Sequence, residues 1–207
     1  MSSQEYFNGV ASQWDQMRRA FFSDAVREIA LAKADPRRGQ SAADLGAGTG
    51  FITEGLLQRG LRVLAVDQSQ AMLEVLRQKF SNAESLDCRL GEAENLPIED
   101  GSLDFVFSNM YLHHVETPSK AIREMARVLS PGGRVVITDM DQHPFEFLRT
   151  EQHDRWLGFD RAEIRRWLSE AGFQDIDVDC VGENCCASST CGSEQARVSI
   201  FVASGQK

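Results

Sequence analysis

No apolar run in the 207 residues approaches the length that crosses a bilayer, so a helical membrane span is not expected. A basic excess is missing as well: 22 Lys+Arg stand against 31 Asp+Glu, a formal net charge of -9. That balance argues against a nucleic-acid backbone or an anionic membrane surface as the main partner. The opening Met1-Ser2-Ser3-Gln4-Glu5-Tyr6 has neither the basic nor the apolar region of a secretory signal, and the expected location is cytoplasmic. Five cysteines are an odd number, which suits a reducing compartment better than a disulfide framework. Repeats and low-complexity tracts are not found. What is present is ordinary: 42% hydrophobic and 26% charged residues in a chain long enough for one α/β domain with a sizeable core.

Apolar residues of the first 35 positions recur at helical spacing, from Phe7, Val10, Trp14 and Met17 to Phe21, Phe22, Val26 and Ile29. This predicts one or two leading helices over residues 1–35, a helical cap, ahead of a binding domain over residues 36–207. Strands are predicted to end at Asp44 and to cover 62–66, 86–90, 103–108, 134–139, a stretch to about Val181, and 197–203. Helices separate the first six. Ser69 is placed to cap one, Thr117-Pro118 to start another, and Asp160-Arg161-Ala162-Glu163 to open a third as a capping box. Strands alternating with helices predict a mostly parallel sheet with helices on both faces, and the last two strands, with no helix between them, an antiparallel pair at one end. Residues 141–159 fit no element and are expected to cover the site.

The chemistry concentrates at Ala43-Asp44-Leu45-Gly46-Ala47-Gly48-Thr49-Gly50, answered by Val63-Leu64-Ala65-Val66-Asp67. A strand breaks into a glycine loop, and about twenty residues later a second strand ends in a carboxylate. Glycines let a ligand approach the backbone amides, and an acid at the second strand's tip accepts hydrogen bonds from ribose hydroxyls. A nucleoside-containing cofactor follows. The glycine spacing differs from the dinucleotide pattern, and the lysine of a triphosphate loop is missing.

With Asp44 and Asp67, this arrangement resembles class I S-adenosylmethionine-dependent methyltransferases. Further blocks resemble the same family: Gly91-Glu92-Ala93-Glu94-Asn95-Leu96-Pro97, Leu103 to Asn109 with Leu112-His113-His114-Val115, and Met125 to Gly133. The subgroup is that of methyltransferase type 11 and the ubiquinone–menaquinone biosynthesis enzymes, whose leading helix Phe7…Ala11…Trp14-Asp15 also resembles. The resemblance implies a Rossmann-like class I methyltransferase fold, a seven-stranded mostly parallel sheet with an antiparallel C-terminal strand, and S-adenosyl-L-methionine as cofactor. It implies that Gly46, Ala47 and Gly48 line the methionine moiety, that Asp44 belongs to the cofactor site, and that Asp67 binds the ribose with Gln68 and Met72 near the adenosine. Glu92 and Ala93 would approach the adenine edge, Asn109 the methionine end, and Trp14 and Arg18 would cap the pocket. The partner expected is a small molecule, met by a monomer or homodimer.

A sulfonium methyl donor is already activated, so the protein mainly has to place a nucleophile in line behind the methyl group. If the acceptor must lose a proton, His113 and His114, following the fourth strand, are the candidate bases. Cys185, Cys186 and Cys191 are expected in a loop leaning toward the substrate side, where thiolates would suit a thiophilic metalloid acceptor such as arsenite. Arsenite methyltransferases share the fold and use cysteines, but the leading helices here hold none. A metal clip, a redox-labile pair or thiols without a role are the alternatives; adjacent cysteines fit zinc spacing poorly, and no metal ligand is assigned. The acceptor is thus either a metalloid or an organic quinone precursor methylated on carbon or oxygen. A non-catalytic metal-binding protein of this fold and a nicotinamide oxidoreductase are the competing classes.

Overall fold

The computed structural model describes residues 3–190 and 192–207. Three helices lead: α1 (Ser3–Val10), α2 (Trp14–Phe21), reached through a 3-10 turn, and α3 (Ala25–Ala34). There follow β1 (Ser41–Leu45), α4 (Phe51–Gln58), β2 (Arg62–Asp67), α5 (Gln70–Lys79), β3 (Leu86–Leu90) and β4 (Leu103–Asn109). A 3-10 turn at Leu112–His114 precedes α6 (Pro118–Val128), β5 (Leu129–Met140), α7 (Glu146–Glu151), α8 (Arg161–Glu170), β6 (Gln174–Ser188) and β7 (Gln195–Gln206). The seven strands form one sheet in the order β3-β2-β1-β4-β5-β7-β6. β7 runs antiparallel to both neighbours and the other described pairs are parallel.

Alternation along the strands divides the core between the two faces. Ala43, Leu45, Val135 and Ile137 pack with Ile122 and Met125 of α6 and Ile164 and Leu168 of α8. Their neighbours Ala42, Val63 and Val136 turn the other way, onto Val26 and Leu31 of α3 and Ile52 and Leu56 of α4. The sheet is therefore covered on both sides, as the hydrophobic pattern requires. Two of the sequence-predicted caps are formed: Ser69 Oγ accepts from Met72 N at 3.1 Å and an Asp160 carboxylate oxygen from Ala162 N at 2.7 Å.

Two expectations are corrected. The loop foreseen between the last two strands is much shorter, because β6 continues through Cys185 and Cys186 to Ser188 and pairs with β7 as far as Ser188↔Gln195. The turn-like Gly182-Glu183-Asn184 belongs to an irregularity in which pairing jumps from Cys180↔Phe201 to Asn184↔Ser199. A bulge of this kind kinks a strand without ending it. Residues 141–159, unplaced by periodicity, contain the short α7, and their end docks on the 3-10 turn through Arg155 N and Trp156 N, each bonded to His113 O at 3.0 Å.

Candidate functional site

The glycine loop follows the end of β1 and is held by β2: Gly46 N and Ala47 N donate to Val66 O at 2.9 and 3.1 Å. Asp67 ends β2 with both carboxylate oxygens engaged, one accepting from Gly48 N and the other from Ser69 N, each at 2.8 Å. One side chain thus fixes the loop and the start of α5 together. Burial raises the Asp67 pKa against these amide bonds, which lower it. Gly46 has φ +67, and a Cβ there would lie 2.1 Å from Cγ of Tyr111. Glycine is required at this position on both counts.

A cleft opens here, with about 550 Å³ of empty space including the solvent at its mouth. Gly46, Ala47, Gly48, Asp67, Gln68, Met72 and Asn109 line it, and Trp14 and Arg18 close it from α2. Asn109 Oδ1 accepts from Thr138 Oγ1 at 2.7 Å. Arg18 is 7% exposed; its guanidinium lies over the Phe51 ring at 4.2 Å and donates to Asp24 at 3.1 Å, while its Nε is buried without a partner. Glu92 and Ala93 lie in an adjoining cleft that shares Gln68, Tyr111 and His114 with this cavity.

The sequence-based placement of Asp44 in contact with the cofactor needs correction. It is 2% exposed and does not line the cavity; one of its oxygens accepts from Thr53 N at 2.8 Å and Thr53 Oγ1 at 2.7 Å. It anchors the first turn of α4 beneath the loop. Burial pushes its pKa up to about 6, although the Thr53 bonds work against that.

A second cavity shares Phe7, Trp14, Phe22, Met110 and His114 with the first. Its remaining walls come from Tyr6 of α1, Leu148 and Gln152 around α7, His113, Asp154, and Cys185 of β6. Phe7 packs edge-on against Trp14 and His114, at 5.2 and 5.0 Å between ring centres, so α1 forms the partition between the cavities. The leading segment is tied to the sheet edge by Gln4 Nε2 to Gln68 O at 2.6 Å, Ser69 Oγ to Asn8 Oδ1 at 2.7 Å, and Thr49 Oγ1 to Asp15 at 2.6 Å.

His113 and His114 sit together at the end of β4 with opposite electrostatics. Burial alone would pull His113 down, but the carboxylates of Asp139 and Asp154 outweigh it and hold the ring protonated. His114 is driven well below the ordinary histidine range by burial and by the neighbouring His113 charge. At neutral pH the neutral imidazole, His114, is the one of the two able to accept a proton. Alternation in β6 separates the adjacent cysteines: Cys185 is buried in the cavity wall and Cys186 is exposed. Burial, followed by the Asp154 charge, pushes the Cys185 thiol up to about 12. The third expected thiol, Cys191, lies outside the described residues. Tyr6, Phe7, Tyr111 and Asp154 were missed from sequence. A doublet such as His113-His114 advertises itself, whereas Asp154 comes from the one segment without periodicity.

Comparison with known proteins agrees with this geometry. The "Methyltransferase domain" family matches residues 43–137. A demethylmenaquinone methyltransferase of Paenarthrobacter aurescens is 32% identical over 200 residues, covering 82% of this chain and 78% of that protein. Among solved structures, a SAM dependent methyltransferase from Aquifex aeolicus matches with a TM-score of 0.69 at 20% identity, covering 96% and 97% of the two chains. Phosphoethanolamine N-methyltransferase 2 of Haemonchus contortus, solved with S-adenosyl-L-methionine, gives 0.72 at 19% identity, over 87% of this chain and 52% of that one. Several curated relatives are longer, and the chain spans 27% to 60% of their length. With a relative of this identity matched over most of both lengths, the chain belongs to the S-adenosylmethionine-dependent methyltransferase family, and S-adenosylmethionine is its cofactor.

Proposed function

We propose that the protein transfers the methyl group of S-adenosylmethionine to a small, largely apolar organic acceptor seated in the aromatic cavity. The observation that carries this reading is the shared wall. A cavity of mixed polarity beside the glycine loop and Asp67 abuts a more apolar one across Phe7, Trp14 and His114. The donor's methyl group would sit at that partition, with the acceptor approaching from the far side, the arrangement that in-line transfer needs. Gly46, Ala47 and Gly48 would hold the methionine moiety, with Asn109 near it. Arg18, whose Nε is buried without a partner, would meet the carboxylate at that end. Asp67 would take the ribose, Gln68 and Met72 the adenosine, and Glu92 and Ala93 the adenine edge from the adjoining cleft. Packing of α1 and α2 over the partition would shield the methyl group from water.

The acceptor we favour is a hydroxylated aromatic ring of the quinone-precursor kind. Tyr6, Phe7, Trp14, Phe21 and Phe22 line its cavity, and the Paenarthrobacter relative is named for demethylmenaquinone. A metalloid acceptor is less well supported: among the described residues the cavity offers one thiol, Cys185, and its neighbour Cys186 faces outward. Arsenite is best held by several thiolates at once. Calorimetry with S-adenosylmethionine and S-adenosylhomocysteine, followed by labelled-methyl transfer to a panel of phenols, quinols and arsenite, tests the proposal. One-to-one binding of both nucleosides and label on a phenol or quinol are expected. A folded protein that binds neither nucleoside refutes it, and label on arsenite alone refutes the acceptor class.

A further inference from the structure

We infer that His113, His114 and Asp154 form a site for a divalent transition metal of the zinc type in the wall of the acceptor cavity. Donor atoms of the three side chains lie within 4.8 Å of one another, and all three residues are buried. The spacing is informative. Asp154 meets His113 Nε2 at 3.7 Å and His114 Nδ1 at 3.9 Å. A direct charged hydrogen bond would be about 2.7–2.9 Å, so neither contact is one. Bonds of about 2.0–2.2 Å to a common zinc ion would put two donor atoms roughly 3.3–3.8 Å apart, at angles between tetrahedral and trigonal. The observed gaps are too wide for a shared proton and close to what an interposed cation needs.

Two independent features point the same way. His113 Nδ1 is bonded at 2.7 Å to Asp139, which is fully buried. A carboxylate behind one ring nitrogen fixes the tautomer and turns the other nitrogen toward a metal, a common backing for metal-bound histidines. The Asp154 carboxylate is itself 3% exposed and faces the two imidazoles at 3.7 and 3.9 Å. The His113 ring, which Asp139 and Asp154 favour as the imidazolium, would give up its Nε2 proton when a metal binds, as ligation by histidine requires. His153, at φ +61, sets the backbone that delivers Asp154. The carbonyl of His153 has only a 3.3 Å contact with His114 Nδ1, which ligation would replace.

Three protein ligands would leave a coordination position open toward the apolar cavity, the pattern of catalytic rather than structural zinc. The binding of the ion stands on its own; its effect on the acceptor rests on the methyl-transfer reading. An acceptor hydroxyl bound at the open position would lose its proton more readily and approach the methyl group as an oxyanion. With His114 ligating through Nδ1, its proton sits on Nε2 and it no longer serves as a base; the metal would lower the hydroxyl's pKa, and the proton would leave to solvent as the acceptor binds, before methyl transfer.

The test is a titration of chelator-treated, full-length protein with Co(II), followed by visible absorption, with Zn(II) as competitor. One equivalent of cobalt with tetrahedral-type bands, displaced by zinc, is expected. Asp154→Asn and His113→Gln should each weaken binding by roughly 10-fold or more, and Asp139→Asn by about 10- to 100-fold. Circular dichroism confirms that each variant is folded. No uptake by folded wild-type protein, or equal uptake by Asp154→Asn, overturns the site. S-adenosylmethionine calorimetry on the same samples reads the donor separately: donor binding without cobalt uptake sinks the metal site alone, and cobalt uptake without donor binding sinks the donor assignment alone.

Discussion

The donor cavity draws half of its lining from one continuous stretch, Gly46 to Met72, and the rest from the leading segment and from Asn109 to His114. The acceptor cavity gathers residues from Tyr6 on α1 to Cys185 on β6, with Leu148 and Asp154 between them in sequence. The first joins a strand–loop–helix unit, with its glycine amides and the Asp67 carboxylate, to aromatic side chains of the leading segment and the end of β4. The second is built from side chains that only tertiary packing brings together. A nucleoside shared by a whole family can be held by local geometry, whereas a varied acceptor is better served by segments free to change independently.

The largest expected effect breaks the donor side outright. Gly46→Val places a branched side chain at φ +67, where even a Cβ would lie 2.1 Å from Tyr111. Overpacking of about 1–3 kcal/mol added to left-handed strain should lower Tm by several degrees and abolish detectable S-adenosylmethionine binding by calorimetry. Pairing it with Tyr111→Ala relieves the clash but not the strain, so recovery should be partial. Full wild-type affinity in Gly46→Val would show that the loop does not hold the donor. Asp67→Asn comes next. It replaces a carboxylate that accepts from Gly48 N and Ser69 N and is proposed to bind the ribose. Charged hydrogen bonds contribute about 1.5–3 kcal/mol, so donor affinity should fall roughly 10- to 100-fold, with the aromatic cavity unchanged as judged by acceptor binding.

A smaller, pH-dependent effect sharpens the contrast from beneath the loop. Asp44 has a folded-state pKa raised to about 6, against about 3.9 for an unfolded aspartate. The folded protein therefore holds that proton more tightly. The associated stability is full below about pH 4 and is lost as pH rises through 6. Thermal unfolding should show this fall between pH 4 and 6, and Asp44→Asn, which cannot titrate, should reduce its slope, the remainder falling to Asp154, which burial also raises to about 6. An equal slope in both proteins would show that Asp44 does not carry the dependence.

The same contrast explains what could be read from the residues. The parallel sheet, its antiparallel end and the glycine loop follow from period-two alternation and turn residues that act locally. The ligation of Thr53 by Asp44 was not legible, because the same acid at a strand end can face a ligand or a helix start, and only the fold decides. Asp154 and Tyr6 carry no local signal, lying in segments whose placement depends on what they pack against. The cysteines misled for a definite reason: Gly182-Glu183-Asn184 has the composition of a turn, but it forms an irregularity in pairing rather than the end of β6.

That misreading yields the mildest prediction, on the acceptor side. Strand alternation puts Cys185 in the cavity wall and Cys186 outside, and the Cys185 thiol is pushed up to about 12. The thiolate is the form that reacts. Brief exposure of the native protein to iodoacetamide at pH 8, read by peptide mass spectrometry, should therefore label Cys186 and the exposed Cys180 while sparing Cys185. Cys186→Ala should leave methyl transfer to an organic acceptor within about twofold of wild type. Cys185→Ala removes a small group from a cavity wall, and its cost should appear in KM for the acceptor rather than in donor affinity. If Cys186→Ala instead abolished turnover while Cys185→Ala did not, the outward thiol would be the functional one. The acceptor would then have to be sought on the exposed face of β6, away from the partition at Phe7 and Trp14.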